Sequence, residues 1–204
     1  MKKLFIISCF VFLVFCFYGI QSAKADNVAL GASVSLSGNP FFTEYAVWGA
    51  PGSPGSPTLI NSIVDGAFLP TSTQWNLGTL WWDEHVPGNQ GVITIDLGQY
   101  YSINSFIVQA DNNDTYRLSY LDSATLEWTD ISAIGGWGMI TRGEVFLPDP
   151  VITNLIQIST IAGDGWYSLS EIQAMGTPVP EPATMLLLGA GLIGLAGYGR
   201  KKLK

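Results

Sequence analysis

The chain has 204 residues, with nine lysines and arginines against sixteen aspartates and glutamates, seven tryptophans and two cysteines; that length allows one domain with a sizeable core. Between Asp26 and Pro178 the imbalance sharpens to two arginines, Arg117 and Arg142, against fifteen acids and no lysine, a net charge of −13. A field of that sign repels nucleic acid and anionic lipid, and it disfavours polyanionic sugars unless a divalent cation bridges them, although an acidic surface also simply keeps a protein soluble.

Lys2 and Lys3 precede an apolar run from Leu4 to Ile20, and Ala23-Lys24-Ala25 follows. A basic start, an apolar centre and a small-x-small site predict a secretory signal peptide over residues 1–25, cut after Ala25. An uncleaved anchor is the competing reading, because the apolar run nearly suffices to span a bilayer. Both cysteines, Cys9 and Cys16, lie inside that run. The exported part therefore enters an oxidising space without a thiol or a disulfide, so its stability must come from core packing, which a metal could assist.

A short strand opens the body at Asn27–Val34. Residues 49–57, Gly-Ala-Pro-Gly-Ser-Pro-Gly-Ser-Pro, read as a surface loop, since proline lacks a donor and glycine loses the most backbone entropy on ordering. Leu59–Gly66 is an apolar approach to an Asp-Gly turn, and the tryptophan-rich stretch from Thr73 to His85 reads as loop. Three central strands follow. Ile93, Ile95 and Leu97, then Phe106, Val108 and Ala110, then Tyr116, Leu118 and Tyr120 alternate with their neighbours at a period of two. Gly98-Gln99 and Asp111-Asn112-Asn113-Asp114 supply the turns between them. Glu127–Ile131, Arg142–Leu147, Leu155–Ile161 and Leu169–Met175 support further strands, with glycine-rich turns at 135–138 and 163–165. About eight short strands and no convincing amphipathic helix predict an all-β sandwich over residues 26–177.

The tail, 178–204, is separate. Pro178-Val179-Pro180-Glu181-Pro182 is an extended linker, Ala183–Tyr198 is apolar and glycine-rich, and Arg200-Lys201-Lys202-Leu203-Lys204 closes the chain. Sixteen residues as helix span about 24 Å, slightly short of a roughly 30 Å hydrocarbon core, and the basic end would stay cytoplasmic. By itself this predicts a C-terminal transmembrane helix.

Pro180, Glu181 and Pro182, the apolar span and the basic cluster together resemble the PEP-CTERM sorting signal of Gram-negative bacteria. The resemblance implies an exosortase-type processing enzyme as partner. It also implies transient anchoring in the inner membrane and a destination at the cell surface or extracellular matrix, often alongside exopolysaccharide. A permanent anchor with a fortuitous Pro-Glu-Pro is the rival.

The body is similar to a discoidin-like domain (coagulation-factor type C), a jelly roll of the galactose-binding type. The resemblance is carried by Asn27-Val28-Ala29-Leu30-Gly31, Val64-Asp65-Gly66, Thr73-Gln74-Trp75, Ile95-Asp96-Leu97-Gly98, Trp128 and Ser170–Gly176. Two departures stand out: Ala67 to Ser72 lengthen the gap between Asp-Gly and Thr-x-Trp, and the cysteine pair of many animal members is missing. In that family a structural calcium often sits where the Asp-Gly loop meets the last strand. The resemblance implies Asp65, Thr73 and Glu171 as its ligands, with the longer gap leaving the metal geometry open. Hard oxygen donors of this kind suit calcium better than zinc. Alternatively, Asp65 makes only an Asx turn and Glu171 faces solvent.

The same resemblance implies ligands on loops at one end of the sandwich. Trp81, Trp82, Trp137 and Trp166 fall in predicted loops, whereas burial on a strand face offers an explanation for Trp128. With His85 and Asn113, the loop tryptophans are the candidate contacts for a carbohydrate such as a neutral matrix polysaccharide. Indole faces stack on the apolar faces of sugar rings while polar neighbours bind the hydroxyls. Two of them could instead cap the core, or the group could dock another matrix protein. Asp111–Asp114 reads as a solvated turn, with a second cation or sugar loop as the alternative. One histidine and no exported cysteine exclude Cys–His chemistry and multi-histidine zinc sites, and no nucleophile-elbow motif is present. The expectation is a binding module or an adhesion protein, and no enzyme.

Overall fold

The computed structural model describes residues 25–42, 60–85, 90–111, 113–135, 141–180, 188–195 and 198–199, with side chains from 144 onward in the fifth segment. Residues 1–24 of the predicted signal peptide (1–25), the predicted Pro/Gly loop at 49–57, Trp137, Glu181 and Pro182 lie outside these residues.

Among the described residues, nine strands form the body: β1 (Asp26–Asn27), β2 (Ser33–Ser37), β3 (Phe41–Phe42), β4 (Leu80–Asp83), β5 (Val92–Ala110), β6 (Thr115–Leu121), β7 (Trp128–Gly135), β8 (Thr141–Ala162) and β9 (Trp166–Pro178). All pairings are antiparallel, in the order β3-β4-β9-β5-β8-β6-β7, with β1 on β9 and β2 on β5. Two strands are long because each serves both layers of a sandwich. The first leg of β5, Val92–Asp96, pairs with β2 and with the second leg of β8. Its second leg, Tyr101–Ala110, pairs with β9 and with the first leg of β8. The corner falls at the register shift between Asp96 and Tyr101. Gly98 takes φ +78° there and donates its N–H to Asp96 Oδ1 at 2.9 Å, a left-handed conformation that glycine adopts without a Cβ clash.

The period-two faces close on one another as the sequence predicts. Ile93, Ile95, Leu118, Ile156 and Ile158 from one layer meet Ile103, Phe106, Val108, Leu169, Ile172 and Ala174 from the other, all buried. At about 25 cal/mol per Å² of apolar surface removed from water, this core supplies the main stabilising term in a domain without disulfides.

Three predicted elements differ. Residues 28–31 turn rather than continue a strand, with Gly31 at φ +71°. The apolar approach to Asp65-Gly66 contains a 3-10 helix, Asn61–Val64, which buries Ile63 and Val64. The largest correction concerns the tryptophan-rich stretch, because Leu80–Asp83 is strand, paired with both β3 and β9. Trp128, by contrast, stands exposed on the edge strand β7.

Trp82 points into the sandwich against Phe41, Tyr116 and Tyr167 at ring separations of 5.1, 6.1 and 5.8 Å. Its indole lies over Gly91, where an added Cβ would come within 2.6 Å of the ring. Gly91→Ala is therefore expected to destabilise the fold by about 2–3 kcal/mol, as overpacking does. That corresponds to roughly 5–10 °C in melting temperature at this size, read by thermal or urea unfolding.

Candidate functional site

One end of the sandwich gathers the close of β4, the β5–β6 turn, the β8–β9 turn and the start of β9. Trp81 and Trp82, adjacent on β4, point to opposite faces. Both are buried, at 1% and 0% exposure, so neither is the loop contact the sequence suggested. A four-residue strand is too short to show alternation, and the outer face carrying Trp81 is buried by its aromatic neighbours. Phe42 stacks on Trp81 at 4.4 Å, Trp75 meets it edge-on at 5.4 Å and Trp166 lies at 6.0 Å. Trp75 and Trp166, 5.8 Å apart, are only partly buried. They form an open aromatic layer over a closed one.

His85 borders this layer, 5.2 Å from Trp166 and half exposed. Asp83 Oδ1 holds it twice, through the His85 N–H at 2.8 Å and through Nδ1 at 2.6 Å. With Nδ1–H donated to Asp83, the neutral ring offers Nε2 as an acceptor. The ring also lies against Gly165 (φ +93°), where a Cβ would fall 2.6 Å from the imidazole. Glu84 braces the layer from below. Its carboxylate accepts from Trp82 Nε1 at 3.0 Å, the Gly91 N–H at 2.7 Å and Thr160 Oγ1 at 2.7 Å, while its own N–H donates to the Gly165 carbonyl at 2.8 Å.

Asn113 Nδ2 donates to Asp164 Oδ2 at 2.7 Å, and Asp164 Oδ1 accepts the Trp166 N–H at 2.8 Å. Three predicted contacts, His85, Asn113 and Trp166, thus share one rim, joined by Trp75, Asp83 and Asp164, which the sequence reading did not nominate. Trp75 was legible only as part of Thr-x-Trp. Trp137 lies outside the described residues.

The rim is acidic within as well as outside. Burial first, and then Glu84, Asp114, Asp164 and Asp111, push the Tyr167 phenol up to about 12. The reading of Asp111–Asp114 as a solvated turn is corrected at its ends, since Asp111 and Asp114 are buried.

The proposed metal residues lie on a different loop. Glu171 is fully buried on β9, which overturns the alternative that it faces solvent. Its Oε1 accepts the Gly66 N–H at 3.0 Å and a bond from Gln173 at 3.3 Å, while Oε2 is buried without a donor. Burial and the Asp65 charge raise the Glu171 carboxyl to about 7. Asp65 accepts the Ala67 N–H at 2.8 Å, an Asx turn. Thr73 directs its hydroxyl and N–H to the Pro70 carbonyl, at 2.6 and 3.0 Å. The fold therefore brings Asp65 to Glu171, and the same loop is fastened by Gln109, which bonds both the N–H and the carbonyl of Leu69. No group of three His, Cys, Asp or Glu that could hold a metal occurs among the described residues.

At the other end of β9, a groove of ≈ 510 Å³ is lined by residues including Tyr100, Ser123, Ile152, Asn154, Val179 and Pro180. Val179 donates its N–H to the Tyr100 carbonyl at 3.0 Å.

Residues 178–201 match the PEP-CTERM protein-sorting motif. The tail is a sorting signal. Export and surface sorting follow from that motif. Within the tail, residues 188–195 and 198–199 are helical, and no helix among the described residues is long and apolar enough to cross a membrane. The body has the fold of the family 32 carbohydrate-binding module from C. perfringens NanJ, solved in complex with galactose, with a TM-score of 0.50 at 13% identity over 74% of this chain and 98% of that one. It is also similar to a fucolectin from striped bass (Morone saxatilis) serum, with a TM-score of 0.56 at 13% identity over 78% of this chain and 51% of that one. No curated protein matches the sequence. At such identities the likeness establishes the jelly-roll fold and leaves the ligand to be argued from the rim.

Proposed function

We propose that this protein is an exported, surface-sorted, non-enzymatic module that binds a neutral carbohydrate at the rim formed by Trp75, Trp166, His85, Asn113 and Asp164. The observation that carries the reading is the partly open Trp75–Trp166 pair packed edge-on and tilted against buried Trp81 and bordered by polar side chains. Such a layer offers apolar faces to a sugar ring without conformational cost, and donors and acceptors at its edge orient the hydroxyls. The two solved structures with this fold, one a galactose complex and one a fucolectin, support a sugar as the ligand class.

β9 runs from Trp166 at the rim to Pro178 at the sorting motif, 13 residues and roughly 40 Å of extended chain. Attachment through the tail would therefore leave the rim facing outward. In the tail helix Leu188, Leu192, Ile193 and Leu195 are exposed, which supports a membrane partner for that segment before exosortase processing.

We also propose a structural calcium at the Asp65–Glu171 junction. Glu171 Oε2 is a buried acceptor without a donor, on the carboxylate whose other oxygen accepts the Gly66 N–H, and calcium would complete its shell from loop carbonyls. The group would supply charge compensation and a clamp between the 65–73 loop and β9.

A glycan array probed with the purified full-length chain tests the ligand class. Neutral glycans are expected to bind and polyanionic ones to stay blank. Silence on every glycan would favour adhesion to a matrix protein instead, for which exposed Trp128 and Phe146 are available.

A further inference from the structure

A second pair of acids, below the rim, has no task in sugar contact. Asp111 closes the β5 side of its turn and Asp114 opens the β6 side, each 1% exposed. Their carboxyls interact directly. Asp111 Oδ1 accepts from the Tyr116 hydroxyl, and Asp114 Oδ1 accepts the Asp164 N–H at 2.9 Å. The remaining oxygen of each, Oδ2, is buried and has no donor beyond the facing carboxyl. The backbone of Gly163 presses on the same spot: a Cβ there would lie 1.6 Å from Asp114 Oδ1.

Among the described side chains, which do not include that of Arg142, nothing around the pair compensates its charge. Tyr116 of β6 and Ser168 of β9 are neutral, and Asp164 and Glu84 from the adjoining turns are acidic. Arg117 is engaged with Asp130 at 3.5 Å, and the body contains no lysine. Taking carboxylates out of water without a partner costs several kcal/mol per ion. A shared proton would cancel one of the four neighbouring charges, whereas a dication cancels two and gives both orphaned oxygens a ligand.

We propose that Asp111 and Asp114 hold a hard divalent cation of the calcium class through their Oδ2 atoms, separate from the Asp65–Glu171 junction. Loop carbonyls and water complete its shell, a donor set that calcium accepts and zinc does not favour. The ion ties the 111–114 turn, which carries Asn113, to the 163–165 turn, which carries Asp164.

The test uses terbium luminescence, excited through the protein's aromatic residues and competed with calcium, on the full-length chain in detergent. The Glu171→Gln protein is expected to retain one saturable, calcium-competed site. Adding Asp111→Asn, which keeps an acceptor for Tyr116, should weaken that site at least tenfold. Glu171→Gln protein without a calcium-competed site at any pH from 6 to 9 would overturn the proposal, as would a double variant that binds like Glu171→Gln. Should the double variant fail to fold, the Glu171→Gln titration alone decides. Loss of the Glu171 site would show separately, as wild type and Glu171→Gln binding the same number of ions.

Discussion

Chelating divalent cations at pH 8 is expected to lower the melting temperature by about 5–10 °C, and at pH 5 by much less. Glu171 is a buried carboxyl raised to about 7 from its ordinary 4.5, chiefly by burial and further by the Asp65 charge. Without a cation the folded state binds this proton more tightly than the unfolded chain does. Stability is then complete below about 4.5 and falls as the pH rises through 7. The displacement corresponds to on the order of 3 kcal/mol, or several degrees for a chain of this length. A cation reverses the sign, because it binds the ionised carboxylate and is displaced by the proton. Metal-loaded protein should therefore hold its stability across the window in which chelated protein loses it. Glu171→Gln removes both the fall between pH 5 and 7 and this share of the chelator response. Any response that remains, extending toward pH 9, belongs to Asp111, whose carboxyl is raised to about 9, first by burial. An equal chelator response in wild type and Glu171→Gln would remove the Glu171 site from consideration. Differential scanning calorimetry across pH 5–9 reads all of these outcomes.

Trp166→Ala is expected to abolish recognition of whichever neutral glycan the array identifies, with at least a thirtyfold rise in Kd, about 2 kcal/mol. The melting temperature should change little, because Trp166 is partly open and is held through its backbone N–H and the edges of Trp75, Trp81 and His85. Trp81→Ala gives the contrasting result. That side chain is 1% exposed and touches Phe42, Trp75 and Trp166, so its loss should cost about 3–5 kcal/mol of stability and destroy the rim with the fold. Titration calorimetry beside thermal melts separates the two. If the Trp166→Ala protein keeps its affinity while melting like wild type, the aromatic layer is not where the sugar sits.

The strands that hold the core were legible because burial on one face imposes a period of two. Ile93-x-Ile95 and Phe106-x-Val108 display it, and both legs of β5 lie where that alternation puts them. Alternation fails for β4, where two tryptophans in succession serve two faces. The outer one is buried only because Phe42, Trp75 and Trp166, far apart along the chain, converge on it. The acids show the same limit. Asp65 and Glu171 came together as the motif order implied, since a backbone N–H of the Asp-Gly turn meets the Glu171 carboxylate. The four residues from Asp111 to Asp114 carried the composition of an ordinary turn. Asp114 is covered because Gly163, lacking a Cβ, lets the neighbouring turn close over it, and Asp111 is held by the buried hydroxyl of Tyr116.

The sequence by itself determined the layered β architecture, the acidic, thiol-free body and the sorting signal at 178–201, because each is written in local periodicity, composition or a contiguous motif. Tertiary structure alone decided which indoles stay open, which carboxylates lose water and that the rim lies at the opposite end of β9 from the tail. Those properties depend on contacts between separate segments, such as Trp81 with Phe42 and Trp166 or Asp114 with Asp164, and no local pattern records them.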